Sequence, residues 1–190
     1  MNTNSKPLNA YGELAGDIRE ILITSEQIQE RIQQIGALIS VDYAGKTPIL
    51  IGVLKGVLFF MADLLRTLTI HVEVDFLAVS SYTPSTRDQG LVRLIKDLDI
   101  SIENRHVLFV EDIVDTGLTL NYLMRNLRAR QPASLEACVL FNKPENRLIH
   151  LPLKYVGFDL PNRFIVGYGL DHRERFRNLP FIGLLKPDAL

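Results

Sequence analysis

Between residues 110 and 120 the chain reads VEDIVDTGLTL, and the types and spacing of these residues suit an activated sugar phosphate. Asp115, Thr116, Gly117, Leu118 and Thr119 fall where a strand passes into a helix. The unpaired N–H groups of a first helical turn point outward there and favour an anion. Gly117 lets the backbone wrap closely around such a group, and Thr116 and Thr119 add hydroxyl donors. The run has neither the GxxxxGKS/T of a P-loop nor the GxGxxG of a dinucleotide fingerprint. Glu111 and Asp112, just ahead of the cradle, would repel phosphate and so need another task. They could accept hydrogen bonds from a diol or hold a hard cation such as Mg²⁺. A phosphate cradle preceded by diol acceptors describes a ribose 5-phosphate site. The plainer alternative is a set of acids that only complements a helix dipole. It fits a lone Asp-Thr-Gly better than it fits the whole pattern.

The surrounding elements must place this turn. Thr24 and Gln27 form a helix-capping pair, and Ile28, Ile32, Ile35 and Ile39 follow at helical spacing, predicting an amphipathic helix over 25–43. Residues 49–54 are a continuous apolar run, the mark of a strand covered on both faces. A helix over 57–68 and a strand over 72–80 follow. Residues 81–90, SYTPSTRDQG, are polar with Pro84 and Gly90 and read as a long, moving loop. Strands are expected over 91–98, 106–110 and 135–141, with a helix over 119–130 between the last two. Two short apolar runs, 155–158 and 163–166, precede a tail rich in Arg, Asn and Pro. Residues 1–17 are expected to be flexible. Buried strands alternating with helices imply an α/β fold with a mostly parallel sheet flanked by helices. Ligands on such sheets bind at the carboxyl ends of the strands, where residues 54–56, 111–119, 142–145 and the turn after Val166 converge.

Bulk properties narrow the function class. The 190 residues suffice for a single well-buried domain, and 47% hydrophobic with 23% charged residues is an ordinary globular balance. A net charge of −1 gives no general attraction to nucleic acid or to an anionic membrane, so neither is an expected partner. The single cysteine, Cys138, lies in an apolar run and reads as a core thiol. The four histidines show no metal-ligand spacing. No basic start followed by an apolar core is present, and the apolar runs are too short to span a bilayer, so a cytoplasmic location is expected.

The 110–120 segment resembles the 5-phosphoribosyl 1-pyrophosphate motif of type I phosphoribosyltransferases. From about Ile18 to Pro187 the chain resembles the hypoxanthine–guanine branch of that family. The similarity is carried in order by GVLKG with FFMADL, VDFLAVSSY, VRLIKDLD, VEDIVDTGLTL, NKP, VGFDLPNRFIVGYGLD and FRNLPFIGLLKP. It implies the type I phosphoribosyltransferase fold, with a small hood built from the N- and C-terminal segments. It also implies transfer of the 5-phosphoribosyl group from phosphoribosyl pyrophosphate to a 6-oxopurine base, with Mg²⁺ as cofactor and an oxocarbenium-like transition state. A homodimer or homotetramer is implied as well.

The same resemblance implies a role for individual residues. Glu111 and Asp112 would face the ribose hydroxyls directly or through Mg²⁺, and Asp171 would join the metal's ligand shell. Asp115 would act as general base and acid at purine N7, with Thr116, Gly117, Leu118 and Thr119 enclosing the 5-phosphate. Many relatives carry Lys at position 118, but backbone donation survives Leu118. Lys55 and Gly56, joined to Leu54 through a cis peptide, and Arg177 would bind the diphosphate; Val57 replaces a usual glycine of that turn. Ser81 and Tyr82 would head a lid. Lys143 would donate to the exocyclic O6, Phe164 would stack on the purine, and the backbone of Ile165 would read its edge, with Asp171 alongside. His172 stands where relatives often have an aromatic residue.

Other readings remain open on sequence. A sugar-diphosphate sensor that binds nucleic acid would need a basic patch or an added module, for which the charge and the chain offer no room. A related transferase could use xanthine or a pyrimidine. An interaction protein could bind nucleotide without turnover.

Overall fold

The computed structural model describes residues 8–81 and 92–189. Nine strands and four α-helices carry the fold among these residues: β1 (Ile18–Ile23), β2 (Ile49–Leu54), β3 (Glu73–Ser81), β4 (Val92–Lys96), β5 (His106–Val114), β6 (Ser134–Asn142), β7 (Tyr155–Asp159), β8 (Ile165–Val166) and β9 (Ile182–Leu185), with α1 (Glu13–Gly16), α2 (Ser25–Asp42), α3 (Leu58–Thr67) and α4 (Leu118–Arg128). Six strands form one sheet in the order β4-β3-β2-β5-β6-β7, parallel except for β4 at the edge. The chain starts this sheet at β2, adds β3 on one side, then returns to place β5 on the other. The crevice between the carboxyl ends of β2 and β5 is therefore the switch point where such sheets bind ligands.

Alternation along the buried strands splits the core. Leu50, Leu108, Val110, Cys138 and Leu140 pack with Ile28, Ile32, Ile35 and Ile39 of α2 and Phe60, Met61 and Leu64 of α3. Ile49, Ile51, Val107, Phe109, Ala137 and Val139 meet Leu120, Leu123, Met124 and Leu127 of α4 on the opposite face. Thr24 caps α2 through the reciprocal bonds with Gln27 expected from sequence. Burial pushes the Cys138 thiol up, which keeps it protonated in the core.

The second sheet, β1-β9-β8, is antiparallel and joins the two ends of the chain into a hood. Its own core is Ile18, Val166, Phe176, Leu179, Phe181 and Leu185. The first seventeen residues are expected from sequence to be mobile. Of these, residues 8–17 form a 3-10 turn (Leu8–Tyr11) and α1, with Leu8, Tyr11 and Leu14 packed on the hood, while 1–7 lie outside the described residues. The expected moving loop at 81–90 lies outside them too, apart from Ser81.

One boundary differs in a way that matters chemically. Strand β5 runs four residues past the expected end at Val110, because its ladder to β6 continues through Glu111, Ile113 and Val114, opposite Val139, Phe141 and Asn142. Glu111 and Asp112 are strand residues, and only the stretch from Asp115 to Gly117 is turn.

Candidate functional site

A cavity of about 300 Å³ opens at the carboxyl end of the large sheet, lined by Gly56, Asp112, Ile113, Asp115, Lys143, Phe164, Ile165, Leu170, Asp171 and Arg177. Eight of these ten are residues singled out from sequence. They arrive from strands β5 and β8 and from the segments that follow β2, β5, β6, β7 and β8. Lys55 sits beside this cavity in an adjoining groove that it shares with Arg177 and Glu174. Ser81 is the last residue of β3, and Tyr82 lies outside the described residues.

The turn from Asp115 to Gly117 that leads into α4 is built around one glycine. Gly117 caps α4 at φ 84°, a left-handed conformation that favours glycine. A Cβ there would also meet the Ile149 carbonyl oxygen at 2.7 Å. The turn is tied from behind, since the Thr116 carbonyl accepts the N–H groups of Leu148 (2.9 Å) and Ile149 (3.3 Å). The Leu118 N–H donates to the Thr116 hydroxyl oxygen at 3.4 Å, and Leu118 itself is exposed. Thr119 lies in the first turn of α4.

Asp115 leads into this turn with both carboxylate oxygens engaged. Lys143 Nζ lies 3.3 Å from Oδ2, and the Asn146 amide nitrogen donates to Oδ1 at 2.8 Å. Lys143 is buried at 6% exposure, and its backbone N–H is anchored on the Val114 carbonyl at 2.9 Å. A buried lysine needs an anion or strong acceptors around its ammonium, so Lys143 is held at the cavity rather than in solvent. Phe164 is 47% exposed, and the edge of one ring faces the other in its contact with His172 (centroids 5.2 Å apart, 86° between planes). Ile165 pairs with Leu184 in the hood.

The side of the site that holds Lys55, Gly56 and Arg177 is built by close backbone approach. The Leu54–Lys55 peptide is cis. A Cβ on Gly56 would sit 1.7 Å from Asp112 Oδ2, and one on Gly169 would sit 2.0 Å from the Gly56 carbonyl oxygen. Arg177 donates to the Gly169 carbonyl (2.8 Å) and pairs with Asp171 Oδ1 (2.7 Å). Glu174 pairs with Lys55 at 3.1 Å and with Arg177 at 3.4 Å, so one exposed carboxylate counter-charges both cations. Their charges hold its carboxyl below the usual range, with the Lys55 hydrogen bond the largest cause.

Successive residues of an extended strand project to opposite sides. Asp112 lines the cavity. Glu111 does not, and its Oε2 is enclosed without a hydrogen-bond partner. Burial pushes Glu111 well above the ordinary carboxylate range, and the charge of Asp112 adds to it. Asp112 is raised to about 6, chiefly by burial with Asp171 contributing, against the lowering effects of the Ile113 N–H and Arg177. Two carboxylates on one cavity, one disfavouring ionisation of the other, suit a hard cation with oxygen ligands. Among the described residues no three or more His, Cys, Asp or Glu side chains converge on one point as a ready-made cage.

The raised Asp112 carboxyl binds its proton more tightly in the folded than in the unfolded chain. Its contribution therefore destabilises the fold as pH rises from about 4 through about 6. Asp112→Asn is expected to stabilise the Mg²⁺-free protein at pH 7 by on the order of 1–3 kcal/mol and to matter far less at pH 4, read by denaturant unfolding at both values.

Sequence reading missed three polar residues at the site: Asn146, Asn162 and Glu174. Only Glu174, a lone acid among Arg173, Arg175 and Arg177, carried a local signal.

Comparison with known proteins agrees with this geometry. A family model described as a phosphoribosyl transferase domain matches residues 21–173. The hypoxanthine-guanine phosphoribosyltransferase of Streptococcus agalactiae is 49% identical over 175 residues, which is 92% of this chain and 97% of the relative. That of Bacillus subtilis is 48% identical over 171 residues, 90% of this chain and 95% of the relative. A crystal structure of a hypoxanthine phosphoribosyltransferase from Staphylococcus aureus superposes with a TM-score of 0.89 at 44% identity, covering 99% of this chain and 98% of that one. The loops at the carboxyl ends of the strands and the matching relatives lead to one assignment: this chain belongs to the hypoxanthine-guanine phosphoribosyltransferase family.

Proposed function

We propose that this protein salvages purines by moving the 5-phosphoribosyl group of phosphoribosyl pyrophosphate onto hypoxanthine or guanine, releasing pyrophosphate. The observation that carries this reading is the adjacency of Asp115 and Lys143, 3.3 Å apart at the rim of the phosphate cradle. O6 and N7 are neighbours on one edge of a 6-oxopurine, and in the free-base tautomer that leaves N9 able to attack, O6 accepts a hydrogen bond while N7 carries a proton to donate. A cation for O6 and a carboxylate for the N7 proton must then also be neighbours.

The chain's residues divide the work. The turn from Asp115 to Thr119 holds the 5-phosphate at the N-terminus of α4. Lys55, Gly56 and Arg177 take the diphosphate, whose negative charge replaces that of Glu174 between the two cations. Asp112 and Asp171 would hold a hard cation through their oxygens, and Mg²⁺ there would supply charge neutralisation for the departing pyrophosphate. Glu111, behind Asp112, acts on this pair through charge and burial. Phe164 stacks on the base and the Ile165 backbone reads its edge, so that the ring nitrogen meets the anomeric carbon. Asp115 accepts the N7 proton as the base is ribosylated, and returns it in the reverse direction. No helix among the described residues is long and apolar enough to cross a membrane. A cytoplasmic homodimer or homotetramer acting on small molecules, without nucleic acid, is the setting this reading implies.

Selectivity tests the assignment. Lys143→Gln is expected to lower kcat/KM for hypoxanthine by about ten- to a hundredfold, because a charged donor to O6 is lost. The loss with adenine should be far smaller, since its amino group offers Lys143 no acceptor. Radiolabelled hypoxanthine and adenine, followed into IMP and AMP, measure both. An unchanged hypoxanthine-to-adenine ratio would remove Lys143 from base recognition.

A further inference from the structure

Asn146 stands where the loops leaving β5, β6 and β7 meet. It closes the 3-10 turn Pro144–Asn146, and its backbone N–H bonds the Lys143 carbonyl at 3.2 Å, so its side chain is presented from a fixed turn. Its amide nitrogen lies 2.8 Å from Asp115 Oδ1 and 2.8 Å from Asn162 Oδ1. Carboxylate and amide oxygens can only accept, so both protons of the NH₂ group are used and the amide's orientation is fixed by its surroundings. Asn162 in turn belongs to the loop that carries Phe164. That loop is held to the end of β6 by the Leu160 N–H on the Asn142 carbonyl (2.7 Å) and by the Asn142 amide on Asp159 (2.5 Å).

We infer that Asn146 is a positioning residue for the transfer: it holds the Asp115 carboxylate in register with the loop bearing the stacking ring, so that proton acceptor and ring meet the same purine. This rests on the acid–base reading of Asp115. Lys143 restrains one oxygen of that carboxylate but must also serve the base. Asn146 restrains the other oxygen from behind the wall, touching Asp115 without lining the cavity itself.

Steady-state kinetics of the full chain with Mg²⁺, phosphoribosyl pyrophosphate and hypoxanthine test the inference, with thermal unfolding of each variant alongside. Asn146→Ala is expected to lower kcat/KM for hypoxanthine about tenfold while KM for phosphoribosyl pyrophosphate stays within about twofold. Asn146→Asp, the same shape with an acceptor in place of the donor, should do worse than Asn146→Ala, whereas a space-filling role would tolerate it. Asn162→Ala should cost about threefold, since Asn146 keeps its bond to Asp115. In an Asp115→Asn background, Asn146→Ala should add less than about twofold, because there is no longer a proton acceptor to position. Wild-type kinetics for Asn146→Ala, or a full multiplicative loss in the Asp115→Asn background, would overturn the role of Asn146 alone. Wild-type turnover of Asp115→Asn itself would overturn the acid–base reading and this inference with it.

Discussion

Asp115→Asn is expected to lower kcat for nucleotide formation by about two to four orders of magnitude while leaving KM for phosphoribosyl pyrophosphate within about threefold. The substitution keeps the shape of the side chain and at least one acceptor for Lys143 or Asn146, which lie 3.3 and 2.8 Å from the native carboxylate. It leaves the Gly117 cap and the first turn of α4 unaltered, so the proposed 5-phosphate seat persists. What disappears is the capacity to take a proton. Pre-steady-state measurement of IMP formation separates that loss from slow product release. Full retention of the chemical rate would assign the proton to another group.

Gly169→Ala is expected to be severely damaging although it adds a single methyl. Gly169 adopts φ 97°, where a side chain is disfavoured, and the added carbon would sit 2.0 Å from the Gly56 carbonyl oxygen. That oxygen belongs to backbone and cannot swing aside, so the Lys55–Gly56 turn must move. Gly56 has no room to yield, because its own Cα faces Asp112 so closely that a Cβ there would lie 1.7 Å from Oδ2. We expect a loss of about 3 kcal/mol or more in stability from strain and overpacking together. A fall of about a hundredfold in kcat/KM for phosphoribosyl pyrophosphate should accompany it, since displacement of a binding group by about 1 Å is worth that much. Unfolding by denaturant and initial rates at varied sugar diphosphate measure the two. Near-wild-type values for both would contradict the close packing of these loops.

The parts of the fold that were legible in the sequence are those where one local rule decides. The Thr24–Gln27 cap, the isoleucine spacing of α2 and the apolar run of β2 each follow from neighbours a few residues apart. The turn into α4 was legible for the same reason, as Gly117 serves both the left-handed cap and the close approach of the backbone. The hood was expected only through family resemblance. Strands β1 and β9 pair across most of the chain, and β1 has an irregular burial pattern with shifts in its register. Nothing in a tail rich in Arg and Pro announces a strand. The extent of β5 escaped because acids are poor strand signals, yet ladder pairing carries them. Asn146 and Glu174 escaped because their partners lie far away in sequence: Asp115 is 31 residues from Asn146, and Lys55 is 119 from Glu174.

Pyrophosphate release gives the most direct measurement of whether this site joins an activated ribose to a 6-oxopurine. The protein is mixed with Mg²⁺, phosphoribosyl pyrophosphate and, in separate reactions, hypoxanthine, guanine, xanthine, adenine or uracil. Rapid release with hypoxanthine or guanine, and little with adenine or uracil, is the predicted result. Absence of turnover with every 6-oxopurine would contradict the account.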